Sequence, residues 1–174
     1  MWERAKVIEE KTEVIEERDD ETDDLYEKEE KREETLQLVV FRLDREWYGV
    51  DIRKVKEIIK LNRVTYLPSS PEHIAGIVNL RGNILSVTDL KVLLNLSREL
   101  PGEKARIIAV EFGILETGLL ADEVVGSIEL PVRMIGPVIP TIPAGGAKYL
   151  EGQCKVDDKL IGILSVEKVL EVQN

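Results

Sequence analysis

The strongest constraint on the fold is an internal repeat that covers most of the chain beyond residue 35. A shift of 69 residues superimposes the earlier part of the two copies without a gap, and the paired positions carry the same class of apolar residue or glycine. These pairs are Val39/Ile108, Leu43/Phe112, Gly49/Gly118, Val50/Leu119, Val55/Val124, Ile59/Ile128 and Leu61/Leu130. Self-similarity of this kind indicates two copies of one structural unit that bury surface against each other.

The later part of each copy repeats with a larger shift. Ile84-Leu85-Ser86-Val87 recurs as Ile163-Leu164-Ser165-Val166, a shift of 79 residues, so the second copy carries an insertion of about ten residues. The stretch from Pro131 to Gly146 is rich in proline and glycine, which predicts that the insertion is a loop. A short helical pattern follows each recurrence, with Thr88 or Asp89 as the N-cap of the first helix and Ser165 as that of the second.

Each copy therefore reads as about five short strands with tight turns and a closing helix. The turn signals are Asp44-Arg45, Arg81-Gly82-Asn83, Gly113 and Asp157-Asp158. The sequence predicts a mainly β fold of two tandem five-stranded SH3-like β-barrels that pack together, with short capping helices. A small barrel buries little surface alone, so we expect the partner site in the groove between the two.

The predicted domain limits follow from this pattern. Residues 1–34 form an acidic arm and residues 35–174 form the repeated body. The first barrel spans about 46–97 and the second about 105–166, with strand 36–43 exchanged between them.

The arm holds most of the excess negative charge, with 16 Asp and Glu against 7 Lys and Arg in residues 1–34. Val7-Ile8 and Val14-Ile15 are seven residues apart, which indicates one short apolar stripe on a helix. Two interpretations stay open. The arm is a solvated, helical or frayed extension, or it is an amphipathic helix led by Trp2, Val7, Ile8 and Ile15 that docks on a partner or on a second copy.

The composition argues against an enzyme. His73 is the only histidine and Cys154 the only cysteine, so neither a metal site nor a disulfide is expected, and Cys154 reads as a small core or edge residue. Ser86 and Ser165 have no histidine base beside them in the sequence, and no glycine-rich phosphate loop occurs. We expect no catalytic residue, no metal and no cofactor.

No apolar stretch is long enough to span a membrane, and the N-terminus lacks the apolar core of a secretory signal. The expected location is cytoplasmic, without direct insertion into a membrane.

Two turns carry residues suited to binding a protein. Arg81 precedes Gly82 at a hairpin tip, where glycine can adopt positive φ and the planar guanidinium can contact carboxylates or helix-end carbonyls of a partner. Alternatively, Arg81 bonds carbonyls of its own loop or Glu57. In the second copy, Ile114 and Leu115 occupy a turn that is charged in the first copy, so they form an exposed partner patch or fold under and are buried.

These runs resemble the CheW family of chemotaxis coupling proteins. The resemblance extends over about residues 35–172 and is most specific in Leu67–Gly82, which matches the pattern LP..P..I.GVVNLRG. Further matching runs are Tyr48–Ile59, Ile84–Leu90, Gly118–Val124 and Tyr149–Gly152.

The resemblance implies a non-enzymatic cytoplasmic adaptor that joins the hairpin tips of methyl-accepting chemoreceptors to the regulatory domain of the histidine kinase CheA, at membrane receptor arrays. The residues that map to the receptor-facing groove are Arg81, Asn79, Gly82, Val55, Glu57 and Gly76. Kinase contacts at the barrel ends are assigned to Ile114 and Leu115.

Two alternatives remain. The same fold could serve a kinase array outside chemotaxis. An SH3- or OB-like nucleic-acid module would need basic faces and stacking aromatic residues, whereas the net charge of residues 35–174 is near −1 and Phe41, Trp47 and Tyr48 fall at repeat-core positions. We therefore expect no nucleic-acid partner.

Overall fold

The computed structural model describes residues 33–139 and 145–173, so the predictions for residues 1–32 of the arm lie outside the described residues. The described chain is mainly β, as predicted. Its strands are β1 Thr35–Leu43, β2 Glu46–Asp51, β3 Val55–Lys60, β4 Ile74–Leu80, β5 Asn83–Asp89, β6 Arg106–Phe112, β7 Leu115–Ala121, β8 Glu123–Pro131, β9 Leu150–Val156 and β10 Lys159–Leu164. Two short helices follow β5 and β10, α1 Leu90–Leu93 and α2 Val166–Glu171, and single 3-10 turns lie at Ile52–Lys54, Val132–Met134 and Ala147–Tyr149.

The order of elements reproduces the sequence repeat, since β1 to β5 with α1 correspond to β6 to β10 with α2. The shift in the later part is 76 residues and not the predicted 79, because Val87 pairs with Gly118 as Ile163 pairs with Gly49. Ser165 therefore corresponds to Asp89 and not to Ser86. Both helix N-caps come from the residues that the sequence indicated. The Asp89 side chain accepts a hydrogen bond from the backbone N–H of Lys91, and the Ser165 hydroxyl accepts one from Lys168. Each cap satisfies a donor that the first turn of a helix leaves unpaired.

The strands form two five-stranded sheets. The order of the first sheet is β8-β1-β2-β10-β9, and that of the second is β3-β6-β7-β5-β4. Each sheet thus contains a hairpin from the other copy: β1–β2 joins the strands of the second copy, and β6–β7 joins those of the first. The sequence suggested exchange of strand 36–43. In the sheet order β2 accompanies this strand, because β2 pairs with β1 on one side and in parallel with β10 on the other. The barrel limits of 46–97 and 105–166 stay a sequence-based division.

Three apolar clusters explain why these strands form two layers. Alternate residues of a strand point to opposite faces, and β1 buries both: Leu38 and Val40 lie in a cluster of the first sheet, while Val39, Phe41 and Leu43 lie in the core between the sheets. A third cluster lies in the second sheet and contains Val78, Leu85, Val87, Ile107 and Ala109. Cys154 is buried in the cluster of the first sheet, as expected.

Candidate interaction surface

The hairpin turn between β4 and β5 presents Arg81 at its tip. Arg81 has φ of 53° and Gly82 has φ of 89°, the paired left-handed conformation of a two-residue hairpin turn. The Asn79 side-chain oxygen accepts a hydrogen bond from the N–H of Gly82 at 2.8 Å. Positive φ was expected at Gly82 but not at Arg81, where a side chain with a Cβ costs about 1–2 kcal/mol. The turn therefore keeps an arginine where glycine or asparagine would be less strained.

Arg81 is fixed by an ion pair with Glu57 on β3. Its Nη2 lies 3.0 Å from Glu57 Oε2, and the two side chains are 80% and 26% exposed. Of the internal bonds considered for Arg81, the structure shows the one to Glu57. An ion pair this exposed adds less than about 1 kcal/mol of stability, but it orients the guanidinium and leaves its other N–H groups accessible. Because β3 and β4 are at opposite ends of the sheet order, the pair also shows that this sheet curves strongly.

Gly76 has a structural role that its place in the sequence did not reveal. It is buried on β4 with φ of 148°, and a Cβ there would lie 2.4 Å from the carbonyl oxygen of Thr65. The segment before β4 runs this close because Thr65 and Ile77 exchange two backbone hydrogen bonds of 2.8 Å. Gly76 is thus a buried residue whose missing side chain allows the segment that contains Thr65 to pair with β4 at the edge of the sheet.

The predicted receptor-facing residues are only partly brought together. Arg81, Asn79, Gly82 and Glu57 meet at the β4–β5 turn. Val55 is half-buried at the start of β3 and packs on the core between the sheets. Gly76, on β4, is buried beneath its neighbours.

The turn between β6 and β7 forms a second, apolar surface. Gly113 has φ of 62°, and the next residue, Ile114, is 98% exposed, while Leu115 is half-buried against the core between the sheets. The exposed apolar neighbour of Ile114 is Phe112, whose ring lies 5.6 Å from the ammonium of Lys54. The sequence predicted Ile114 and Leu115 together but not Phe112. The repeat pairs Phe112 with Leu43, an apolar position that is fully buried in the first copy, so nothing in the sequence indicated that Phe112 is exposed.

A lysine joins the two surfaces. Lys56 Nζ lies 2.8 Å from Glu116 on β7 and 3.3 Å from Glu111 on β6, and these two carboxylates raise its pKa. Lys56 is adjacent to Glu57, the partner of Arg81. The first residues of β3 therefore contact both turns.

The described residues contain no group of three or more His, Cys, Asp or Glu arranged to hold a metal ion. His73, placed by the sequence in a surface loop, is half-buried, and its Nε2 lacks a hydrogen-bond partner. Within residues 33–139 and 145–173, no helix is long and apolar enough to cross a membrane.

Comparison with known proteins shows which family has this architecture. The family model described as CheW-like domain matches residues 37–174. The chain is 30% identical over 134 residues to the chemotaxis protein CheW of Klebsiella aerogenes, covering 77% of this chain and 81% of that protein. It is 30% identical over 144 residues to the chemotaxis protein CheW of Helicobacter pylori, covering 83% and 87%.

A solved structure has the same fold. The crystal structure of the scaffolding protein TtCheW from Thermoanaerobacter tengcongensis superimposes with a TM-score of 0.71 at 37% identity, covering 76% of this chain and 86% of that one. Family model, relatives and fold agree, and the chain belongs to the CheW family of chemotaxis adaptor proteins.

Proposed function

We propose that this protein is a non-enzymatic cytoplasmic adaptor that couples the cytoplasmic hairpin tips of chemoreceptors to the regulatory domain of the histidine kinase CheA. The observation that carries the proposal is Arg81, a strained and exposed arginine that Glu57 holds in one orientation. Residues held in sparsely populated backbone conformations cluster at functional sites, and arginine, unlike asparagine or aspartate, is not enriched in the left-handed region. Through its partners the adaptor is located at membrane receptor arrays.

The receptor side of the proposal uses the edge formed by β3 and the β4–β5 turn. A receptor helix would lie in the groove beside this edge and place side chains along it. Arg81 would donate hydrogen bonds to carboxylates or helix-end carbonyls of that helix. The conformation of the turn that presents Arg81 would be held by Glu57, Asn79 and Gly82. Val55 would line the groove. Gly76 would act indirectly, because it allows the segment that contains Thr65 to pack against β4.

The kinase side uses the β6–β7 turn. Ile114 is the most exposed apolar side chain of the described residues and is the natural anchor for a hydrophobic contact. Leu115 supports the turn from the core side, and Phe112 extends the exposed patch.

The receptor assignment is tested with Arg81→Asp in a binding assay against a receptor cytoplasmic fragment. We expect at least a tenfold loss of affinity, which is about 1.4 kcal/mol, with an unchanged unfolding midpoint because Arg81 is exposed. Arg45→Asp, an exposed arginine on the β1–β2 turn, is the matched control and should bind as the wild type does. Equal affinity for Arg81→Asp and the wild type would refute the assignment.

The kinase assignment is tested with Ile114→Asp, Leu115→Asp and the control Leu100→Asp, which changes an apolar side chain that is nearly as exposed as Ile114. Ile114→Asp should weaken binding to the CheA regulatory domain and spare both stability and receptor binding. Leu115→Asp should weaken kinase binding and also lower the unfolding midpoint, because this side chain packs on the core. If Ile114→Asp binds the kinase domain as tightly as Leu100→Asp, the kinase surface lies elsewhere.

A second candidate keeps the adaptor role but changes the pathway. The chain is 31% identical over 128 residues to Protein FrzA of Myxococcus xanthus, covering 71% of this chain and 78% of that protein, and that relative does not carry a chemotaxis name. An adaptor of a kinase array outside chemotaxis would bind its kinase equally well. Failure to bind any chemoreceptor fragment, with intact kinase binding, would favour this candidate.

A further inference from the structure

A run of cations lies along β3, at an edge of the second sheet. Residues 53–63 contain five basic residues and one acidic residue. Four of these basic residues are exposed: Arg53, Lys56, Lys60 and Arg63. Together with Arg106 on the neighbouring strand β6, they form a surface that we call the basic strip. The body as a whole is nearly neutral, so this concentration of positive charge is local.

The far end of the basic strip lacks counter-charges. Lys60 and Arg106 lie directly opposite each other in the β3–β6 register, an arrangement of like charges that destabilises a sheet. Arg106 donates only to the backbone carbonyls of Glu103 and Ala105. Among the described residues, no carboxylate lies within ion-pair distance of Lys60, Arg63 or Arg106. An anionic partner would relieve this repulsion.

The strip also has an apolar centre. Ile58 lies between Lys56 and Lys60 on the exposed face of β3 and is 42% exposed. An apolar residue flanked by cations suits a segment that carries both carboxylates and a few aliphatic side chains.

The acidic arm has this composition and enters the body beside the start of the strip. It combines 16 Asp and Glu with the apolar pairs Val7-Ile8 and Val14-Ile15. Its last residues are held there: Glu33 Oε1 lies 2.5 Å from Arg133 Nη1, and the carbonyl of Glu34 accepts a hydrogen bond of 2.9 Å from Val132. The start of β1 packs beside the 3-10 turn that contains Arg53, since Leu38 pairs with Asp51, so the end of the arm lies near the start of the strip.

The arm can reach the whole strip. The distance from Arg53 to Lys60 is at most about 23 Å, since seven residues separate them and an extended strand rises about 3.3 Å per residue. Residues 1–32 would span about 50 Å even if they were entirely helical.

We propose that residues 1–32 bind the basic strip of their own chain, with an aliphatic side chain of the arm against Ile58. The contact is electrostatic and exposed, so it weakens with salt. Because Lys56 of the strip lies between Val55 and Glu57 in the chain, the bound arm runs beside the edge assigned above to the receptor and competes with it. The competition rests on the proposed function, whereas the docking does not.

Zero-length carbodiimide coupling in the full-length protein tests the docking. The reagent joins carboxylates to lysines that are in contact, and mass spectrometry identifies the joined peptides. We expect carboxylates of residues 1–32 to couple to Lys60 and Lys56 at low salt, and this product to fall at least fivefold in 0.5 M NaCl. Coupling spread equally over Lys148, Lys155 and Lys168 would overturn the proposal, as would no coupling of the arm. Mixing unlabelled and ¹⁵N-labelled protein would overturn the intrachain assignment if the joined peptides were of mixed label.

A charge-reversal pair adds a readout that does not depend on lysine chemistry. Lys60→Glu with Arg63→Glu should speed cleavage of the arm by a glutamate-specific protease at least fivefold in the full chain. Arg45→Glu with Lys155→Glu changes the net charge equally on the first sheet and should leave the rate unchanged. Equal rates for both pairs would overturn the docking. If a receptor fragment fails to reduce arm coupling to Lys60, the competition is wrong although the docking stands.

Discussion

The hairpins β4–β5 and β9–β10 occupy equivalent places in the two copies, yet they carry opposite charges. Arg81 and Gly82 correspond to Asp157 and Asp158, and all four residues have positive φ. Glu57, which holds Arg81, corresponds to Gly126, so the second copy has no counterpart of the ion pair. Both copies therefore have the same left-handed backbone conformation at this turn, whereas only the second sheet has an arginine there that forms an ion pair. This asymmetry fits the proposed function, in which the two sides of the adaptor bind different partners.

The two copies also share a close approach next to these hairpins. Gly76 and Gly152 are equivalent, and in each copy an incoming segment bridges the following residue, Thr65 with Ile77 and Gly136 with Gln153. The two glycines differ in the atom that a Cβ built on them would contact first. At Gly76 it is a backbone oxygen at 2.4 Å, and at Gly152 it is a methyl group of Ile135 at 2.7 Å.

The largest effect is expected from Gly76→Ala. It adds a Cβ against a backbone atom at a φ of 148°, so we expect a loss of about 3 kcal/mol in the free energy of unfolding. Gly152→Ala should cost about 1–2 kcal/mol, because the Ile135 side chain can move. Urea unfolding of both variants measures the difference. Equal losses would show that the two approaches are equally rigid.

An intermediate effect is expected from the ion pairs that anchor the two helices. In α1, Lys91 pairs with Asp122 at 2.7 Å, and in α2 the equivalent residue, Glu167, pairs with Lys54 at 2.8 Å, so the charges are reversed. The Lys91 side chain is 7% exposed and that of Lys54 is 21% exposed. Lys91→Met removes the ion pair of Asp122, which keeps only the hydrogen bond from the N–H of Asp44, and should cost about 2–3 kcal/mol. Lys54→Met should cost less than about 1 kcal/mol. Unfolding midpoints in urea check this ranking, and the reverse order would contradict it.

The smallest effect is expected from Glu167→Gln and depends on pH. The hydrogen bond from Lys54 lowers the pKa of Glu167, outweighing the burial that opposes ionisation. A carboxylate whose pKa is lower in the folded state contributes stability above its unfolded pKa of about 4.3, and that stability is lost as pH falls through the folded value. Wild type should therefore exceed Glu167→Gln by about 0.5 kcal/mol at pH 7, and the two should converge below pH 4. A constant difference from pH 7 to pH 3 would rule out ionisation as the cause.

Much of this fold could be predicted from the sequence, because the repeat, the turn residues and the helix N-caps are local signals. Asp89 and Ser165 cap their helices as predicted, and the pairs at a shift of 69 fall on equivalent strands except Leu61, which follows β3. The pairs at a shift of 79 were wrong by three residues, because a recurring apolar pattern does not fix the strand register. Exchange of the whole β1–β2 hairpin could not be predicted, since it depends on the parallel pairing of β2 with β10 more than 100 residues away. Long-range pairing of this kind leaves no periodicity in the sequence.

The candidate surfaces were predicted less completely. Arg81 and Glu57 could be named from sequence, but the left-handed φ of Arg81 and the buried position of Gly76 depend on tertiary contacts. Four members of the basic strip lie close together in the sequence, but their exposure and the position of Arg106 opposite Lys60 depend on the fold. The charge of the whole body, which is close to zero, concealed the strip.

The exchanged hairpin has a consequence for how the chain is made. Both faces of β1 are apolar, and the strands that flank the hairpin in its sheet, β8 and β10, are translated only at residues 123–164. At bacterial and eukaryotic synthesis rates of about 5–20 residues per second, the hairpin waits on the order of ten seconds for its neighbours. The second sheet needs nothing beyond residue 121 and can assemble on the ribosome first. During that interval the apolar faces of β1 have no neighbouring strand of the first sheet to cover them, and the sheet that is completed last contains the first of the described strands.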